Sequence, residues 1–301
     1  MRDRNYWKRY PIETDPAEIE SKLKVTAFAS AGESLELIHF EQGKAKPSAL
    51  ISPGSGGHGY VFAELGLRLH ARGYNVFIMP AHGGHTITEL VQRHEDALRC
   101  IAGICNDRIG IFGEGLGGYV AFYLALARGP VRSIVCQNAP AILTEREWHD
   151  AILRDDGAGR RRKTLLPIVR LLVRVLPRMK LPISTYLDYR EMVDTKEDNR
   201  KIEARLVAAY LRDPDFVLRY PLSAIMSLLS TPPPGALSEL EIPTMFLVPV
   251  RGIVPRYVRD LFERLPPIKK RLVEVDGSVF WMVSHPREAA NVICDWLDET
   301  L

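Results

Sequence analysis

Hydrophobic positions along this sequence follow two kinds of spacing. Residues 24–29 and 34–40 alternate apolar and polar side chains on either side of Ala31-Gly32, which predicts a β-hairpin. Further apolar and alternating runs predict strands at 48–53, 74–80, 131–140, 242–250 and 269–277. Helical spacing of apolar residues predicts amphipathic helices at 60–72, 89–104, 256–264 and 287–301.

The segment 108–126, RIGIFGEGLGGYVAFYLAL, predicts a short buried strand, a glycine-rich turn and an apolar helix. The turn itself reads Gly113-Glu114-Gly115-Leu116-Gly117. In the G-x-S-x-G pattern, a serine occupies the sharp turn between strand and helix, so that its hydroxyl is exposed above the sheet. Gly115 stands at that serine position. Because glycine is the residue least strained by such a turn, we expect the turn to form without an attacking hydroxyl.

On these residues the chain resembles the α/β-hydrolases that carry a helical lid between the sixth and seventh core strands, and the resemblance covers nearly the whole chain. It implies an α/β fold with a mostly parallel central sheet flanked by helices. A chain of 301 residues suits one large α/β domain with an insertion. The composition changes from about residue 141. We therefore expect residues 1–140 and 240–301 to form the core and residues 141–239 to form the lid.

The resemblance also locates the other two positions of a Ser-His-Asp triad. The acid position, at the end of the strand at 242–250, falls on Gly252. The base position, six residues before a structural His-Pro pair, falls on Val279, and His285 matches the structural histidine. A triad needs a nucleophile, a base and an acid that orients the base. Gly115, Gly252 and Val279 supply none of these, so the resemblance implies a degenerate triad and a pseudoenzyme.

Residues 52–58, SPGSGGH, align with the His-Gly-x-Gly segment of this family, with Pro53 at the histidine position. The resemblance implies that the backbone amides of Ser55 and Leu116 form such a hole and bind a carbonyl or carboxylate oxygen. Because every residue except proline has an amide, an ordinary glycine-rich loop is the alternative interpretation.

Several ionisable side chains lie in loops after predicted strands, at the edge where open α/β sheets bind ligands. His58, beside the predicted oxyanion hole, is the best candidate for proton transfer. Glu114 brings a carboxylate to the turn at residues 113–117, called the elbow below. We expect its side chain to point into the protein framework. The His82-x-x-His85 pair has no third ligand at a recognisable spacing. We therefore expect loop or pocket-wall histidines, with neither a metal ion nor a cofactor.

The sequence also bears on the cellular setting. Its first 20 residues carry charges throughout and contain no apolar run of signal-peptide length. The four cysteines have no CxxC spacing, which favours thiols in a reducing compartment. We therefore expect a cytoplasmic protein.

Positive charge is concentrated in one part of the predicted lid. Residues 154–180 contain nine Lys or Arg against two Asp, whereas the whole chain has a formal net charge of +3. On a helix, Lys163, Arg170 and Arg174 would share one side. The segment 163–176 then either makes weak peripheral contact with an anionic membrane or, as we favour, packs on the core with its arginines reaching water. The basic run has no interleaved aromatic residues, so nucleic acid is not an expected partner.

Two functional hypotheses follow. The first is a hydrolase-fold protein that holds an acyl or other small carboxylic ligand in a lidded pocket without hydrolysing it. The second is an unconventional enzyme, an isomerase, a lyase or a hydrolase-like protein. In that enzyme the Ser55 and Leu116 amides would stabilise an oxyanion while His58 or the substrate itself moves a proton.

Overall fold

The computed structural model of the protein describes residues 4–7, 9–138, 140–152, 157–185, 187–252 and 254–301. The strands are β1 (Lys24–Ser30), β2 (Glu33–Phe40), β3 (Ser48–Ser52), β4 (Asn75–Ile78), β5 (Ile109–Glu114), β6 (Ser133–Gln137), β7 (Lys180–Pro182), β8 (Arg219–Pro221), β9 (Thr244–Arg251) and β10 (Lys270–Ser278). The α-helices are α1 (Arg4–Trp7), α2 (Pro16–Lys22), α3 (Ala63–Ala71), α4 (Ile87–Ile104), α5 (Leu116–Leu126), α6 (Arg146–Ile152), α7 (Gly157–Val175), α8 (Glu197–Tyr210), α9 (Leu222–Ser230), α10 (Pro255–Arg264), α11 (Trp281–Ser284) and α12 (Pro286–Thr300). Within the described ranges, none of these helices combines the length and the apolar content that crossing a bilayer requires.

In the described ranges, eight strands form one sheet in the order β1-β2-β4-β3-β5-β6-β9-β10. Strands β1 and β2 pair antiparallel, and β2 also pairs antiparallel with β4. From β4 to β10 every neighbouring pair is parallel. Parallel neighbours need crossover connections, which α3, α4, α5 and α10 supply. This mostly parallel sheet flanked by helices confirms the fold predicted from the sequence.

The centre of the sheet is buried on both faces, which explains its continuous apolar sequence. Every residue of β3, β4 and β6 is buried, as are the first five residues of β5. Helix α5 is buried at ten of its eleven positions because it packs against β5, β6 and α4. Tight packing on all sides therefore fixes the junction between β5 and α5.

The connection between β6 and β9 contains a mainly helical insertion, with α6 to α9 and a small antiparallel pair formed by β7 and β8. The insertion packs on the loops that follow β3 and β4. The Val217 amide donates to the Gly56 carbonyl at 3.0 Å, and the Ile87 amide donates to Ser227 Oγ at 3.2 Å. The bounds 141–239 expected for the insertion stay a prediction. Its role as a lid over a ligand stays a prediction.

The amino-terminal arm, which is the part of the chain before β1, is held against the domain by aromatic side chains. Tyr6, Trp7 and Tyr10 are all buried. Farther along the arm, Asp15 caps α2 by accepting a hydrogen bond from the Ala17 amide at 2.9 Å. The arm is therefore part of the packed structure.

Candidate functional site

The turn between β5 and α5 has the sharp backbone that the sequence predicts. Gly115 adopts φ +52° and ψ −112°, a conformation that residues with a side chain rarely adopt. A Cβ built on Gly113 would lie 2.2 Å from the Gly117 carbonyl oxygen, and one on Gly117 would lie 2.1 Å from that of Ser52. Among the described residues, the nearest atom to a Cβ on Gly115 would be the Gly54 Cα, at 3.8 Å. Gly113 and Gly117 thus permit close packing, whereas Gly115 satisfies the backbone angle and leaves room for a side chain.

The two amides of the predicted oxyanion hole lie on neighbouring segments. Gly54, which faces Gly115, directly precedes Ser55, and Leu116 directly follows Gly115. As the first residue of α5, Leu116 has an amide without a partner inside its helix. In the part of the chain that the structure describes, the Ser55 amide donates to no protein acceptor. The arrangement is compatible with an oxyanion hole, which stays a prediction.

Aromatic side chains of the insertion hold the loop that carries Ser55. The Tyr189 hydroxyl donates to the Ser55 carbonyl, and the Gly56 amide donates to the Tyr220 hydroxyl at 2.6 Å. Phe216 packs so closely on Gly56 that a Cβ there would lie 2.5 Å from its ring. The insertion therefore fixes the backbone of this loop by both hydrogen bonds and apolar contact.

Glu114 is directed from the elbow toward the adjoining loops. Its Oε1 accepts a hydrogen bond from Asn138 Nδ2 at 3.1 Å, and the Gly54 amide also donates to its carboxylate. Burial raises the pKa of Glu114 to about 7, although the two hydrogen bonds act in the opposite direction. A carboxyl group with such a pKa is partly protonated at neutral pH. It can therefore both donate and accept a proton.

The end of β6 brings the three predicted triad positions together. The Gly115 amide donates to the Gln137 carbonyl at 3.0 Å, and the Val279 carbonyl accepts from Asn138 Nδ2 at 2.9 Å. A Cβ on Gly252 would lie 3.8 Å from Asn138 Oδ1. Residues far apart in the sequence therefore meet at one place on the carboxyl edge of the sheet.

Two buried amide side chains at this place were not predicted as site residues. Gln137 and Asn138 are at most 3% exposed. Their side-chain oxygens, Oε1 and Oδ1, have no hydrogen-bond partner among the described residues. Two such acceptors side by side are unusual in a protein interior and suit a ligand or water that donates hydrogen bonds. One sequence signal could have identified these two residues. They form a polar pair at the end of an apolar strand, at the edge where α/β sheets bind ligands.

His58 lies in a buried cluster that joins the amino-terminal arm to the insertion. Its Nε2 is 3.1 Å from Asp213 Oδ2 and 3.2 Å from the Tyr6 hydroxyl. The hydroxyls of Tyr6, at 2.9 Å, and Tyr10 both donate to the same Asp213 oxygen. Burial by itself raises the pKa of Asp213, but hydrogen bonds from His58, Tyr10 and the Asp215 amide hold it well below its usual value. Proton transfer by His58 stays a prediction.

His82 belongs to a buried chain of hydrogen bonds beside the start of α5. His94 Nδ1 lies 2.8 Å from a backbone carbonyl one turn earlier on α4, which can only accept, so Nδ1 carries the proton. His94 Nε2 therefore accepts from the Ser52 hydroxyl at 2.7 Å, and Ser52 Oγ accepts from His82 Nε2 at 3.0 Å. Burial lowers the pKa of both histidines, to about 4 for His94. His85 does not join this chain and is partly exposed.

A third cluster lies around His285, the predicted structural histidine. Ser284 Oγ lies 3.0 Å from His285 Nδ1 and 3.2 Å from Glu203 Oε1. The Ser278 hydroxyl donates to the other Glu203 oxygen at 2.8 Å. Here the serine stands between the histidine and the carboxylate. In none of these three clusters does a histidine link a serine to a carboxylate, which is the order that a triad needs.

The described ranges contain no group of three or more His, Cys, Asp or Glu side chains suited to hold a metal ion. Two open grooves, of about 430 and about 590 Å³, lie along the outer side of α8. Their basic lining residues are Arg9, Arg190, Arg200, Arg205 and Arg212. Neither groove is lined by a residue of the elbow.

No protein-family model matches the sequence, and no curated protein matches it in sequence. Solved structures do match in fold. A monoacylglycerol lipase from Paleococcus ferrophilus is 17% identical, with a TM-score of 0.63 over 92% of this chain and 98% of that one. A soluble variant of monoglyceride lipase from Saccharomyces cerevisiae, in complex with a substrate analog, is 15% identical, with a TM-score of 0.66 over 92% and 96%.

A third match names the fold itself. An alpha/beta hydrolase fold protein from Chitinophaga pinensis is 14% identical, with a TM-score of 0.61 over 92% of this chain and 98% of that one. At such identities the likeness concerns the fold and does not extend to the chemistry. Taken with the mostly parallel eight-stranded sheet and the sharp turn at Gly115, it shows that the chain has the α/β-hydrolase fold.

Proposed function

We propose that this hydrolase-fold protein binds a small acyl or other carboxylic ligand at the elbow and does not hydrolyse it. The observation that carries the proposal is Gly115. Its backbone angles are those of a sharp elbow and the space for a side chain is present, yet glycine has no atom that can attack a carbonyl carbon.

The neighbouring positions support the same proposal. Gly252 and Val279, which the resemblance identifies with the acid and the base, lie with Gly115 around the end of β6. Glycine has no side chain, and the valine side chain can neither take a proton nor orient a base. A site without these three groups still has its backbone donors, which serve binding as well as catalysis.

The surroundings favour a ligand with an oxygen at one end and an apolar body. The Ser55 and Leu116 amides would bind the oxygen. Next to the loop that carries Ser55, the insertion and the loop after β10 contribute an aromatic cluster, in which the Tyr210 and Phe216 rings stack at 4.5 Å and Phe280 lies 6.1 Å from Tyr210. Such rings provide a large apolar contact area for an acyl chain.

The absence of hydrolysis can be tested on the purified full chain with p-nitrophenyl acetate, p-nitrophenyl octanoate and a fluorophosphonate probe. We expect no turnover above that of buffer and no covalent label. Turnover together with labelling of any serine would refute a non-hydrolytic role.

Binding can be tested separately with a fluorescent fatty acid, dansyl-undecanoic acid, displaced by octanoate or palmitate. We expect one saturable site that Gly115→Ala weakens, because the added methyl group fills the space facing Gly54. The matched control is Gly103→Ala on α4, where a Cβ would meet no atom within 4 Å. Failure of every fatty acid to bind, or equal weakening by both variants, would contradict the proposed ligand.

The unconventional enzyme is the second candidate, and Glu114 favours it. A carboxyl group whose pKa burial raises to about 7, next to the predicted oxyanion hole, suits removal of a proton beside a carbonyl group. The structure thus favours Glu114 over His58 for this role, because His58 already shares its Nε2 with Asp213 and Tyr6.

This second candidate predicts hydrogen exchange on a carbonyl substrate. Pyruvate and 2-oxobutyrate incubated with the protein in heavy water would exchange the hydrogens beside the carbonyl faster than in buffer, as followed by NMR. The Glu114→Gln variant should lose the effect. Exchange that is no faster than in buffer, or that the variant retains, would exclude these substrates and this role.

A further inference from the structure

Helix α7 presents an apolar stripe to solvent. Ile168, Leu171 and Val175 are 51%, 65% and 73% exposed, and their spacing of three and four residues places them along one side of the helix. Leu176 follows at 48%. Seven large hydrophobic side chains are exposed in the described ranges, and these are four of them. A concentration of this kind marks an interaction surface.

Another side of α7 already has its packing partner. Val169 is buried and Leu172 and Val173 are half-buried where the helix packs on α9. This contact is with another helix of the insertion, so packing of α7 on the core stays a prediction. Packing on α9 accounts for one side of α7 and does not explain why a second side is also apolar.

The charge next to the stripe indicates the kind of partner. Arg170 and Arg174 are exposed, and neither forms an ion pair with a carboxylate among the described residues. The sequence has no Asp or Glu from residue 157 to residue 187. Arg154 and the side chain of Lys163, which the sequence analysis grouped with them, lie outside what the structure describes. The exposed surface of α7 is therefore both apolar and cationic. It complements a partner that is apolar inside and carries negative charges at its surface.

We propose that α7 docks the protein on an anionic phospholipid surface. The helix lies in the plane of the membrane, with Ile168, Leu171 and Val175 between the lipid headgroups. Arg170 and Arg174 contact phosphate and carboxylate groups. A second copy of the chain is a poorer partner, because the same segment of that copy has no carboxylate that could pair with Arg170 and Arg174.

The test is sedimentation of the purified full chain with vesicles of phosphatidylcholine, with or without about one third phosphatidylserine. We expect binding to the acidic vesicles only, and a strong decrease when the salt concentration is raised from about 0.05 M to about 0.5 M. Binding that is equal on both vesicle types, or absent on both, would overturn the proposal.

Two double variants separate the contributions of charge and apolar contact. Arg170→Gln with Arg174→Gln should lower the partition coefficient about 30-fold, because each arginine near an anionic surface strengthens binding about fivefold. Leu171→Ser with Val175→Ser should lower it at least about tenfold, also at low salt. The matched control is Val25→Ser with Arg256→Gln, at exposed positions on β1 and α10, and should bind like the wild type.

Circular dichroism and Tm are measured for every variant, since loss of folding would also lower binding. A variant pair that folds normally and binds like the wild type would overturn the assigned role of its residues. Self-association in sedimentation velocity, abolished by Leu171→Ser with Val175→Ser while vesicles bind no protein, would instead identify a protein interface and refute the membrane proposal.

Discussion

The Gly54 Cα lies 3.8 Å from the point that a Cβ on Gly115 would occupy. This space is therefore bounded by the loop that carries the Ser55 amide on one side and by the elbow on the other. A side chain at this position would face the predicted oxyanion hole. Gly115 has no side chain to place there and contributes backbone geometry alone.

The glycines of the elbow should differ in what they tolerate. Gly115→Ala should lower the free energy of unfolding by about 1–3 kcal/mol, because alanine is strained at φ +52° although its methyl group fits. Gly113→Ala should cost more, since its Cβ would lie 2.2 Å from a backbone oxygen that cannot move aside cheaply. Urea unfolding measures both changes, and the reverse order of the two would contradict the described turn.

Glu114 should make the protein less stable as the pH rises. Its pKa of about 7 in the folded protein lies above that of an unfolded glutamate, so the folded state binds more protons between these values. The free energy of unfolding should therefore fall between about pH 5 and about pH 8 by more in the wild type than in Glu114→Gln. The exposed Glu263→Gln on α10 is the control and should behave like the wild type.

Asp213 should have the opposite dependence on pH. Because its pKa is held below the unfolded value, its contribution is fully present above about pH 4 and is lost as the pH falls through the folded pKa. Asp213→Asn should lower the free energy of unfolding by about 3 kcal/mol at pH 7, because it removes the charge and replaces one of the two accepting oxygens by an NH2 group that cannot accept. The difference from the wild type should shrink near about pH 3.

The control for this variant is Asp295→Asn, which removes an exposed partner of Arg72 and should change stability little. A difference between Asp213→Asn and the wild type that stays constant from neutral to acidic pH would show that the Asp213 carboxylate is not stabilised by this cluster.

Tyr220 should protect the loop after β3. Tyr220→Phe removes the acceptor of the Gly56 amide and should cost about 1–3 kcal/mol, since the amide is left buried without a partner. Amide hydrogen exchange should speed up at Gly56 and Gly57. Tyr74→Phe, which removes a hydrogen bond to Asp298 on another part of the surface, should lower stability without faster exchange at Gly56. Unchanged exchange at Gly56 in Tyr220→Phe would contradict the described contact.

The strands and helices of the core could be predicted from the sequence because their signals are local, whereas their assembly into one mostly parallel sheet came from the resemblance. Buried strands are runs of apolar residues, the hairpin is marked by Ala31-Gly32, and the elbow is marked by glycines whose spacing a strand-turn-helix unit requires. The helix predicted at 89–104 begins in the structure at Ile87, where Thr86 and Glu89 form a capping box that the prediction had not used. Each of these features depends on residues within a few positions of one another.

The candidate site was predictable only in part. The positions Gly115, Gly252 and Val279 came from a resemblance, and the structure brings them together around the end of β6. Asn138 was missed, although it ends an apolar strand at the edge where ligands bind. The partner of His58 was not predictable, because Asp213 lies 155 residues further along the chain and no local pattern connects the two.

By itself, then, the sequence determined the order of strands and helices and the glycine at the elbow, because periodicity and turn chemistry act over short distances. Only the tertiary structure decided which polar groups share a buried site and which apolar side of α7 is left exposed. Burial and hydrogen bonding depend on what packs from elsewhere in the chain. The pKa of Glu114 and the exposure of Leu171 are therefore properties of the folded protein and not of the residues alone.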